Sequence, residues 1–478
     1  MKDLRVDVAI IGAGTAGMTA YRGALAHTDS VVVIESGPYG TTCARVGCMP
    51  SKLLIAAAEV AHQIDGASQF GIDVDGKHID GARVMQRVRS ERDRFVGFVE
   101  ESVESWPEQH KLRGQAVFVG PNELRVDEHT LVTAKRIVIA TGSRPAVPSP
   151  WLELGDRLLI NDDVFSWESL PRSVAVVGTG VIGMELGQAL SRLGVETTLL
   201  GRGNRFGPVS DPSIRAEAQA FLSDELALFS DASVDSVART ENGVEVVFTQ
   251  GGSQTRIEVE YLIAATGRRS NLDSLNVEAA GVTLDARGNC SFDEHTGQVE
   301  NLPLFIAGDV SNAHPLLHEA ADDGRIAGDN AGRYPDVRAR PRRTPLSIMF
   351  TDPQIMLIGQ SYAELTDTGA SFAVGEVSFV GQGRSRVIAK NKGKLRVYGE
   401  KRTGLFLGAE MVGPAAEHIA HLLSWSVQHR LTVQQMLDSP FYHPVIEEGL
   451  RTALRDLNSN LRMGPVPVER CLDCGPGA

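Results

Sequence analysis

The sequence predicts an α/β protein of several domains, and three observations support that prediction. Its 478 residues are enough for about three domains at roughly 100 to 200 residues each. Two glycine-rich turns of the same pattern, beginning at Gly12 and at Gly178, each follow a short apolar strand and precede a helical pattern. Further apolar strands that end in small residues recur along the chain. We therefore expect two Rossmann-like domains followed by a C-terminal α+β domain.

The first turn joins the strand 6–11 to a helix, and a second strand follows and ends at Glu35. Gly12, Gly14 and Gly17 let the backbone turn tightly and approach a pyrophosphate, whose charge is met by N–H groups at the helix start. Glu35 stands where a carboxylate can accept hydrogen bonds from a ribose. This βαβ unit is typical of a dinucleotide site, and the alternative is a tight strand-helix turn with no ligand.

The second turn repeats this pattern with one change at the end of its second strand. Gly178, Gly180 and Gly183 occupy the three glycine positions. Gly201 stands where the acidic residue is expected, and Arg202 follows it. An arginine there suits the 2′-phosphate of NADP better than the bare hydroxyl of NAD. The alternative is that Arg202 is merely solvated.

Three other strands end in small residues that let the backbone come close to a cofactor or to a neighbouring domain. Their ends carry, in order, Thr141 and Gly142, Gly267 and Arg268, and Gly308 and Asp309. Asp309 is placed to bind a polyol or ribose hydroxyl, and the alternative is a helix N-cap. A break at 338–345, rich in Arg and Pro, precedes a C-terminal part without a glycine fingerprint, which we expect to be an interface or substrate domain.

Composition and charge argue against several classes of function. Lys and Arg number 47 against 60 Asp and Glu, and the net charge of −13 disfavours a nucleic-acid or anionic-membrane partner. No apolar run is long enough to cross a bilayer. The first strand begins at about Val6 and leaves no room for a signal peptide, so we expect a cytoplasmic protein.

Four of the five cysteines form two close pairs, Cys43 with Cys48 and Cys471 with Cys474. In a cytosolic protein such pairs indicate redox groups or metal ligands before structural staples. On a regular helix Cys43 and Cys48 are too far apart for a disulfide, so a bridge requires a distorted helix start, for which Gly47 gives the backbone freedom. Strained bridges are the reducible ones. The alternatives are a zinc half-site and inert buried thiols, and Cys290 is expected to be a small buried hydrophobe.

A resemblance to the flavin-dependent pyridine nucleotide-disulfide oxidoreductases is clearest in the segment Gly40-Thr-Thr-Cys43-Ala-Arg-Val-Gly-Cys48-Met-Pro-Ser-Lys52. The order of glycine turn, cysteine pair, second glycine turn, Ala-Gly-Asp strand and C-terminal part is similar to that family over nearly the whole chain. The resemblance implies an enzyme with FAD and with NAD or NADP, and no metal site is expected. It also implies an FAD domain at 1–147 and 271–342, an NAD(P) domain at 148–270 and a dimerisation domain at 343–478.

By that resemblance Cys43 exchanges with the dithiol substrate, while Cys48 faces the flavin and forms a charge-transfer thiolate. Lys52 matches the family lysine near flavin N5, and Glu185 matches its ion-pair partner. The residues expected to bind FAD or NAD(P) are Gly12, Gly14, Gly17, Glu35, Thr42, Lys52, Thr141, Gly142, Gly178, Gly180, Gly183, Arg202, Gly267, Arg268, Gly308 and Asp309.

The segment 441–448 resembles the C-terminal His-Pro segment of the family, in which a glutamate five residues on holds the histidine. An imidazole oriented by a carboxylate is a competent base for a thiol, so we expect His443, held by Glu448, to be the catalytic base. In the family the histidine reaches the cysteines across a two-fold dimer, which implies a homodimer. A loop turn is the alternative for an isolated His-Pro pair.

Within the family the pattern looks most like that of the dihydrolipoamide dehydrogenases, which implies oxidation by NAD⁺ of a lipoyl dithiol, free or on a carrier domain. His443 and Val181 favour this reaction, since glutathione-type reductases tend to place Tyr at the position of Val181. Arg202 and the tail cysteines Cys471 and Cys474 favour an alternative, an NADPH-dependent disulfide or mercuric reductase. A catalytically silent binding protein on the same scaffold is a hypothesis from another class.

Three positions depart from the family pattern. Thr41 replaces a glycine, Arg45 an asparagine and Val445 a threonine. Arg45 would add a cation beside the disulfide, which could depress a thiolate pKa or select an anionic substrate. These changes leave the expected redox class intact.

Overall fold

The computed structural model describes residues 2–462. Cys471 and Cys474, the predicted tail pair, lie outside the described residues, so their role stays a prediction. The described chain divides into two compact units, the first made of residues 2–53, 86–146 and 267–342 and the second of residues 54–85, 147–266 and 343–462. Within residues 2–462, no helix combines the length and the apolar character that a membrane span needs.

The α-helices of the described chain are α1 (Thr15–Leu25), α2 (Thr42–Val46), α3 (Cys48–Asp65), α4 (Gly81–Glu104), α5 (Asn161–Val164), α6 (Val181–Arg192), α7 (Pro212–Glu225), α8 (Leu317–Arg333), α9 (Tyr362–Asp367), α10 (Gly383–Val387), α11 (Ala416–Gln428), α12 (Val433–Leu437) and α13 (Glu447–Leu461). Short 3₁₀ turns cover Ala67–Phe70, Glu108–His110, Ser149–Arg157, Val277–Ala280 and Asp309–Ser311.

The strands are β1 (Lys2–Ile11), β2 (Val31–Glu35), β3 (Lys111–Arg113), β4 (Ala116–Gly120), β5 (Glu123–Val126), β6 (Thr130–Ile139), β7 (Ser143–Pro145), β8 (Leu158–Leu159), β9 (Ser173–Val177), β10 (Glu196–Leu200), β11 (Ala227–Phe229), β12 (Ala232–Arg239), β13 (Val244–Gln250), β14 (Ser253–Val259), β15 (Tyr261–Ala264), β16 (Arg268–Ser270), β17 (Leu304–Ile306), β18 (Leu346–Met349), β19 (Gln354–Gly359), β20 (Phe372–Ser378), β21 (Lys394–Glu400) and β22 (Phe406–Gly413).

The first unit is built on a seven-stranded sheet in the order β3-β2-β1-β6-β5-β4, with β17 paired to the last residues of β6. The strands β1, β2, β3, β6 and β17 run parallel, while β4 and β5 return antiparallel. Alternate residues of β1 belong to two different buried clusters, Ile10 to one and Ile11 to the other, so both faces of the sheet are covered. Helices α1 and α8 pack closely, because a Cβ at Gly324 would lie only 2.1 Å from the carbonyl oxygen of Ala16.

The second unit contains a parallel sheet in the order β11-β10-β9-β15-β8 and two antiparallel sheets, β12-β13-β14 and β18-β19-β22-β21-β20. Helices α11 and α13 bury their apolar residues in a cluster with the last of these sheets. The predicted fold class is confirmed: two Rossmann-like parallel sheets, each with a glycine turn, and an α+β C-terminal part.

A buried polar network joins the start of α7 to the last sheet within this unit. Asp211 has no exposed surface, caps the start of α7, and accepts hydrogen bonds from Arg396 at 2.7 Å and from the Tyr398 hydroxyl at 3.0 Å. Glu410, also fully buried, accepts from the backbone N–H of Ser210 at 2.6 Å and of Asp211 at 2.8 Å. Because every charge here has partners, the network favours one fixed arrangement.

Candidate active site

The three glycines of the first turn each have a separate steric reason. Gly12 has φ +106°, and a Cβ there would lie 2.4 Å from the carbonyl oxygen of Ala140 at the end of β6. A Cβ at Gly17 would lie 1.8 Å from the carbonyl oxygen of Gly12, so only glycine lets α1 start this close to the turn. Gly14 faces open space, with no atom within 4 Å of a Cβ placed on it. That opening fits the approach of a pyrophosphate to the backbone.

Glu35 ends β2 beside the same turn. Its Oε2 accepts a hydrogen bond of 2.7 Å from the backbone N–H of Ala13, and its Oε1 accepts one of 2.8 Å from the N–H of Gly37. The carboxylate is therefore fixed in orientation at the mouth of the turn. The sequence predicted a carboxylate at this place, and two N–H donors hold it there.

The second turn repeats the geometry of the first. Gly178 has φ +123°, and a Cβ there would lie 2.1 Å from the carbonyl oxygen of Ala265 at the end of β15. A Cβ at Gly183 would lie 1.9 Å from the carbonyl oxygen of Gly178, and Gly180 again faces open space. Both turns can therefore receive a pyrophosphate through backbone N–H groups.

The end of β10 shows why no acidic residue stands there. A Cβ at Gly201 would lie 2.4 Å from both Cγ2 and Oγ1 of Thr179, the residue between the first two glycines of the turn. Thr179 is buried, and Arg202 and Arg205 beyond the strand are exposed. Within residues 2–462 neither arginine has an ionic partner. Sequence reasoning missed Thr179 and Arg205; the doubled arginine was a signal that it could have used.

Asp309 lies at the end of the Ala-Gly-Asp strand and does not cap a helix. The 3₁₀ turn there begins after Gly308 without a side-chain cap, and Asp309 Oδ2 accepts a hydrogen bond of 3.0 Å from the Ser143 hydroxyl. Arg268 donates in turn to the Ser143 Oγ at 2.8 Å and to its carbonyl at 2.7 Å. Thus Arg268 orients the serine that holds Asp309, and its expected contact with a nucleotide stays a prediction.

Two other predicted positions lie near this strand end. The Thr141 carbonyl accepts a hydrogen bond of 2.9 Å from the amide of Asn271, which fixes the turn of Thr141 and Gly142. The N–H of Gly308 donates to Asp323 Oδ2 at 3.2 Å, and burial raises the pKa of Asp323 although Arg342 pairs with it at 2.7 Å. Asp323 is a residue that the sequence did not single out.

The cysteine segment is a pair of helices broken between the two sulfurs. Thr41 caps α2 by accepting from the N–H of Ala44 at 3.1 Å, which accounts for the threonine at this position. Helix α2 ends before Gly47, and α3 begins at Cys48. A Cβ at Gly47 would lie 3.2 Å from the Cα of Cys43, so the chain is compact at the break. The distortion expected from the spacing of the cysteines is present.

Both cysteines are free thiols here, Cys43 half-buried and Cys48 exposed. A hydrogen bond with Cys48 raises the pKa of Cys43 far above its ordinary value, and burial and the charge of Cys48 raise it further. The cation of Lys52, on the second turn of α3, opposes this shift. The raised pKa favours the protonated form of the Cys43 thiol.

Arg45 lies between the cysteines in sequence, but its charge is engaged elsewhere. Its Nη2 donates to Glu100 at 2.7 Å and also to the carbonyl of Tyr39. The Glu100 carboxylate offsets the cation that the sequence placed beside the disulfide. Arg45 is not among the groups that shift the pKa of Cys43 most.

Glu185 lies in the interior of the second unit on α6. Its side chain is 3% exposed, and its Oε1 accepts a hydrogen bond of 2.9 Å from the N–H of Phe350. A buried carboxylate needs such partners. Its expected pairing with Lys52 joins residues of different units and stays a prediction.

His443 and Glu448 form a close pair at the start of α13. His443 Nδ1 lies 3.0 Å from Glu448 Oε1; the Glu448 side chain is 4% exposed and that of His443 is 70% exposed. The backbone N–H of Val445 also donates to Glu448, at 3.2 Å. Because a carboxylate accepts from Nδ1–H, the opposite ring nitrogen Nε2 carries the lone pair. The imidazole is thus presented to solvent as an oriented base.

Residues 2–462 contain no group of three or more His, Cys, Asp or Glu side chains placed to hold a metal ion.

Comparison with known proteins gives a family for almost the whole chain. Residues 6–324 match the family described as pyridine nucleotide-disulphide oxidoreductase, and residues 346–454 match the dimerisation domain of the same family.

Curated relatives match over nearly their full length. The dihydrolipoyl dehydrogenase of Geobacillus stearothermophilus is 27% identical over 453 residues, which cover 93% of this chain and 94% of that protein. The dihydrolipoyl dehydrogenase of Halobacterium salinarum is 29% identical over 463 residues, 94% of this chain and 95% of that protein.

Solved structures share the fold. The HOCl-induced flavoprotein disulfide reductase RclA from Escherichia coli has a TM-score of 0.78 at 24% identity, covering 95% of this chain and 99% of that one. LpdA from Mycobacterium tuberculosis has a TM-score of 0.80 at 23% identity over the same shares.

Proposed function

The chain belongs to the pyridine nucleotide-disulphide oxidoreductase family, enzymes that use FAD and NAD(P), and on that premise we propose that it is a dihydrolipoyl dehydrogenase. The observation that carries the proposal is the pair of His443 and Glu448, with Nδ1 3.0 Å from the buried carboxylate. An oriented imidazole is the base needed to take protons from a dithiol. The names of the curated relatives support the same reaction.

In the proposed reaction Cys43 and Cys48 begin as a disulfide. His443 takes the proton of one substrate thiol, and the substrate thiolate attacks Cys43, so that Cys48 leaves as a thiolate. The second substrate thiol then attacks the substrate sulfur bonded to Cys43, which closes the substrate disulfide and breaks the bond to Cys43. The proton of this second thiol passes to the leaving Cys43, as the raised pKa of Cys43 favours, while His443 keeps the first proton. FAD, held at the first glycine turn, would supply the two-electron chemistry that links the reduced cysteines to NAD⁺ at the second turn.

The remaining site assignments are parts of this proposal. Gly12 to Gly17 and Glu35 would hold the FAD pyrophosphate and ribose, and Asp309 a hydroxyl of the same cofactor. Glu185 would pair with Lys52 near the flavin. The domain boundaries given from the sequence are proposed unchanged.

A homodimer is also part of the proposal. Residues 346–454 match a dimerisation domain, and the family brings its histidine to the cysteines across the dimer. Each active site would then combine Cys43 and Cys48 of one subunit with the His-Pro segment of its partner.

The test is steady-state oxidation of dihydrolipoamide by NAD⁺ in the wild type and in His443→Gln. We expect the substitution to lower kcat by about 10² to 10⁴-fold, because proton transfer is lost. Without the base, attack on the Cys43–Cys48 disulfide depends on the small fraction of substrate thiol that is already ionised. That fraction grows about tenfold per pH unit below an ordinary thiol pKa of about 8.5, so the residual rate should rise with pH from about 7 to about 8.5.

The matched control is His418→Gln, which removes another exposed histidine of the same domain and should leave kcat within twofold. A wild-type protein that does not turn over dihydrolipoamide with NAD⁺ would contradict the proposal. Purified protein without bound flavin would favour the catalytically silent scaffold.

A second candidate is an NADPH-dependent disulfide or mercuric reductase. It is favoured by Arg202 and Arg205, exposed beyond β10 without an ionic partner in residues 2–462, and by the absence of a ribose-binding acid at Gly201. NADPH-driven reduction of lipoamide, glutathione disulfide and Hg(II), assayed beside the dehydrogenase reaction, separates the two. In that assay, Cys471→Ser with Cys474→Ser tests whether the tail pair takes part.

A further inference from the structure

We infer that Arg384 and Arg386 bind the carboxylate of a small anionic dithiol or disulfide beside the catalytic base. The inference rests on the proposed function, because it names the class of dithiol that the same site takes. Charge is the first observation. In a chain of net charge −13, residues 377–399 contain six Lys or Arg and no Asp or Glu. Such a concentration of one sign favours an anionic ligand.

Four of these six cations are engaged within the second unit. Their partners are Asp352 for Lys390 at 3.5 Å, the ring of Phe221 for Lys392 at 5.9 Å, the Ser213 hydroxyl for Lys394 at 3.0 Å and Asp211 for Arg396 at 2.7 Å. The other two, Arg384 and Arg386, have neither an acidic partner nor a side-chain hydrogen bond among residues 2–462. Their guanidinium groups keep their donors for a ligand.

The helix that carries the two arginines is anchored by its capping residue. Gln382 is 4% exposed, and its Oε1 accepts from both the N–H and the hydroxyl of Ser385 at 2.7 Å. Ser385 has no exposed surface. Because successive helix residues are about 100° apart, burial of Ser385 directs its two neighbours to the flanks of α10. Arg386 is exposed and Arg384 is half-exposed.

The same capping residue ties α10 to the His443 segment. Gln382 Nε2 donates to the carbonyl of Val445 at 2.7 Å, and the N–H of Val445 donates to Glu448, which holds His443. Arg384 lies two residues from Gln382, whose part-buried hydrogen bond reaches Val445, and Val445 lies two residues from His443. This bond therefore ties the helix that carries the two cations to the segment that carries the base.

Arg45 does not supply this selectivity. It was the cation that the sequence placed nearest to the redox pair, but Glu100 lies 2.7 Å from its guanidinium. An already paired arginine attracts a further anion weakly, whereas the arginines of α10 have no such competitor. We therefore assign recognition of the substrate's charge to Arg384 and Arg386 and not to Arg45.

The occupant we assign is a free acid with a vicinal or near-vicinal dithiol, of which dihydrolipoate is the accessible probe. The guanidinium fork matches a carboxylate through two parallel N–H donors. Dihydrolipoamide carries the same dithiol and a neutral amide, so the two compounds differ at the group that the arginines would contact.

The experiment compares kcat/KM for dihydrolipoate and dihydrolipoamide in the full-length holoenzyme, wild type and R384Q/R386Q. We expect the ratio of dihydrolipoate to dihydrolipoamide to fall about tenfold in the variant, as two partly exposed charge contacts would give. In the wild type the ratio should also fall as the ionic strength rises from 0.02 to about 0.5 M, because salt screens exposed charges.

The matched control is K401Q/R402Q, which removes two exposed cations from the same domain and should leave the ratio unchanged. An unchanged ratio in R384Q/R386Q, or an equal loss with both substrates, overturns the inference while the dehydrogenase reaction stands. If neither dithiol is oxidised, the proposed function fails instead. Calorimetric binding of lipoate and lipoamide to wild type and variant then decides the inference: a lipoate-specific loss supports it, and equal affinities overturn it.

Discussion

The two glycine turns of this molecule have one backbone geometry and two different strand ends. In both turns the third glycine would place a Cβ against the carbonyl oxygen of the first, at 1.8 Å for Gly17 and 1.9 Å for Gly183. In both, the middle glycine, Gly14 or Gly180, faces open space. What the turns share is therefore the part that would meet a pyrophosphate.

The strand ends differ in which residue occupies the space beside the turn. In the first fold the turn residue is small, Ala13, and its N–H donates to Glu35 at 2.7 Å. In the second, Thr179 fills that space, and a Cβ at Gly201 would lie 2.4 Å from it. The missing acid is thus coupled to the bulk of the turn residue. An acidic residue at the end of β10 would therefore require two substitutions, one at Gly201 and one at Thr179.

The largest effect is expected where the turns are the same. Gly17→Ala and Gly183→Ala should each lower the free energy of unfolding by about 3 kcal/mol or more, because the new methyl group meets a backbone oxygen that cannot move aside. Urea unfolding of the two variants measures this. Gly97→Ala is the control, since no atom lies within 4 Å of its Cβ. Midpoints equal to the wild type would show that the helices can shift.

The next effect tests the coupling at the second turn. Gly201→Glu should lower the free energy of unfolding by about 2 kcal/mol through overpacking against Thr179, and Thr179→Ala should restore most of it in the double variant. The double variant should also use NADH better relative to NADPH, since the acid regains its place. If the double variant is no more stable than Gly201→Glu alone, Thr179 is not the obstacle.

A smaller effect is expected at the middle glycine of each turn, where a substitution should weaken nucleotide binding without changing the stability of the fold. Gly14→Ala and Gly180→Ala add a methyl group to open space, so neither should change the urea midpoint of the protein without bound nucleotide. Gly14→Ala should weaken FAD binding, and Gly180→Ala should raise the KM for the nicotinamide coenzyme, each by about tenfold, or about 1.4 kcal/mol. Flavin content after dialysis and coenzyme titrations report the two separately. If both variants weakened FAD binding equally, the assignment of FAD to the first turn and of the nicotinamide coenzyme to the second would be wrong.

The smallest effect concerns the exposed arginines. Arg202→Gln with Arg205→Gln should lower kcat/KM for NADPH by about fivefold relative to NADH if they contact a 2′-phosphate, because exposed charge pairs contribute about 1 kcal/mol. Arg256→Gln removes an exposed arginine of the same fold and serves as the control. A ratio that does not move would leave the two arginines as solvated side chains.

Most of what the sequence could predict depends on residues that are close together in the chain. The glycine spacing gives the turn because strand, turn and helix are consecutive, and Glu35 follows at the end of the next strand. His443 and Glu448 are five residues apart, so their pairing needs only one turn of chain. The break between Cys43 and Cys48 also followed from spacing and helix geometry.

The features that were missed depend on tertiary contacts. Arg45 pairs with Glu100, 55 residues away, and that carboxylate offsets the charge expected from the place of Arg45 in the sequence. Asp309 is held by Ser143, 166 residues away. The overlap of Thr179 with position 201 exists only once β9 and β10 lie side by side. No window of sequence contains both members of these pairs.

The pairing of β17 with β6 affects the order in which the two parallel sheets can be completed during translation. Ile139 of β6 pairs with Ile306 of β17, which is synthesised 167 residues later. At a translation rate of about 5 to 20 residues per second, the delay between the two is roughly 8 to 33 s. In that interval β15 has been synthesised to Ala264, the last strand that the second parallel sheet needs. The sheet that is begun later is therefore the first whose strands are all available. A nascent chain halted before residue 304 would lack one edge of the sheet that was begun first.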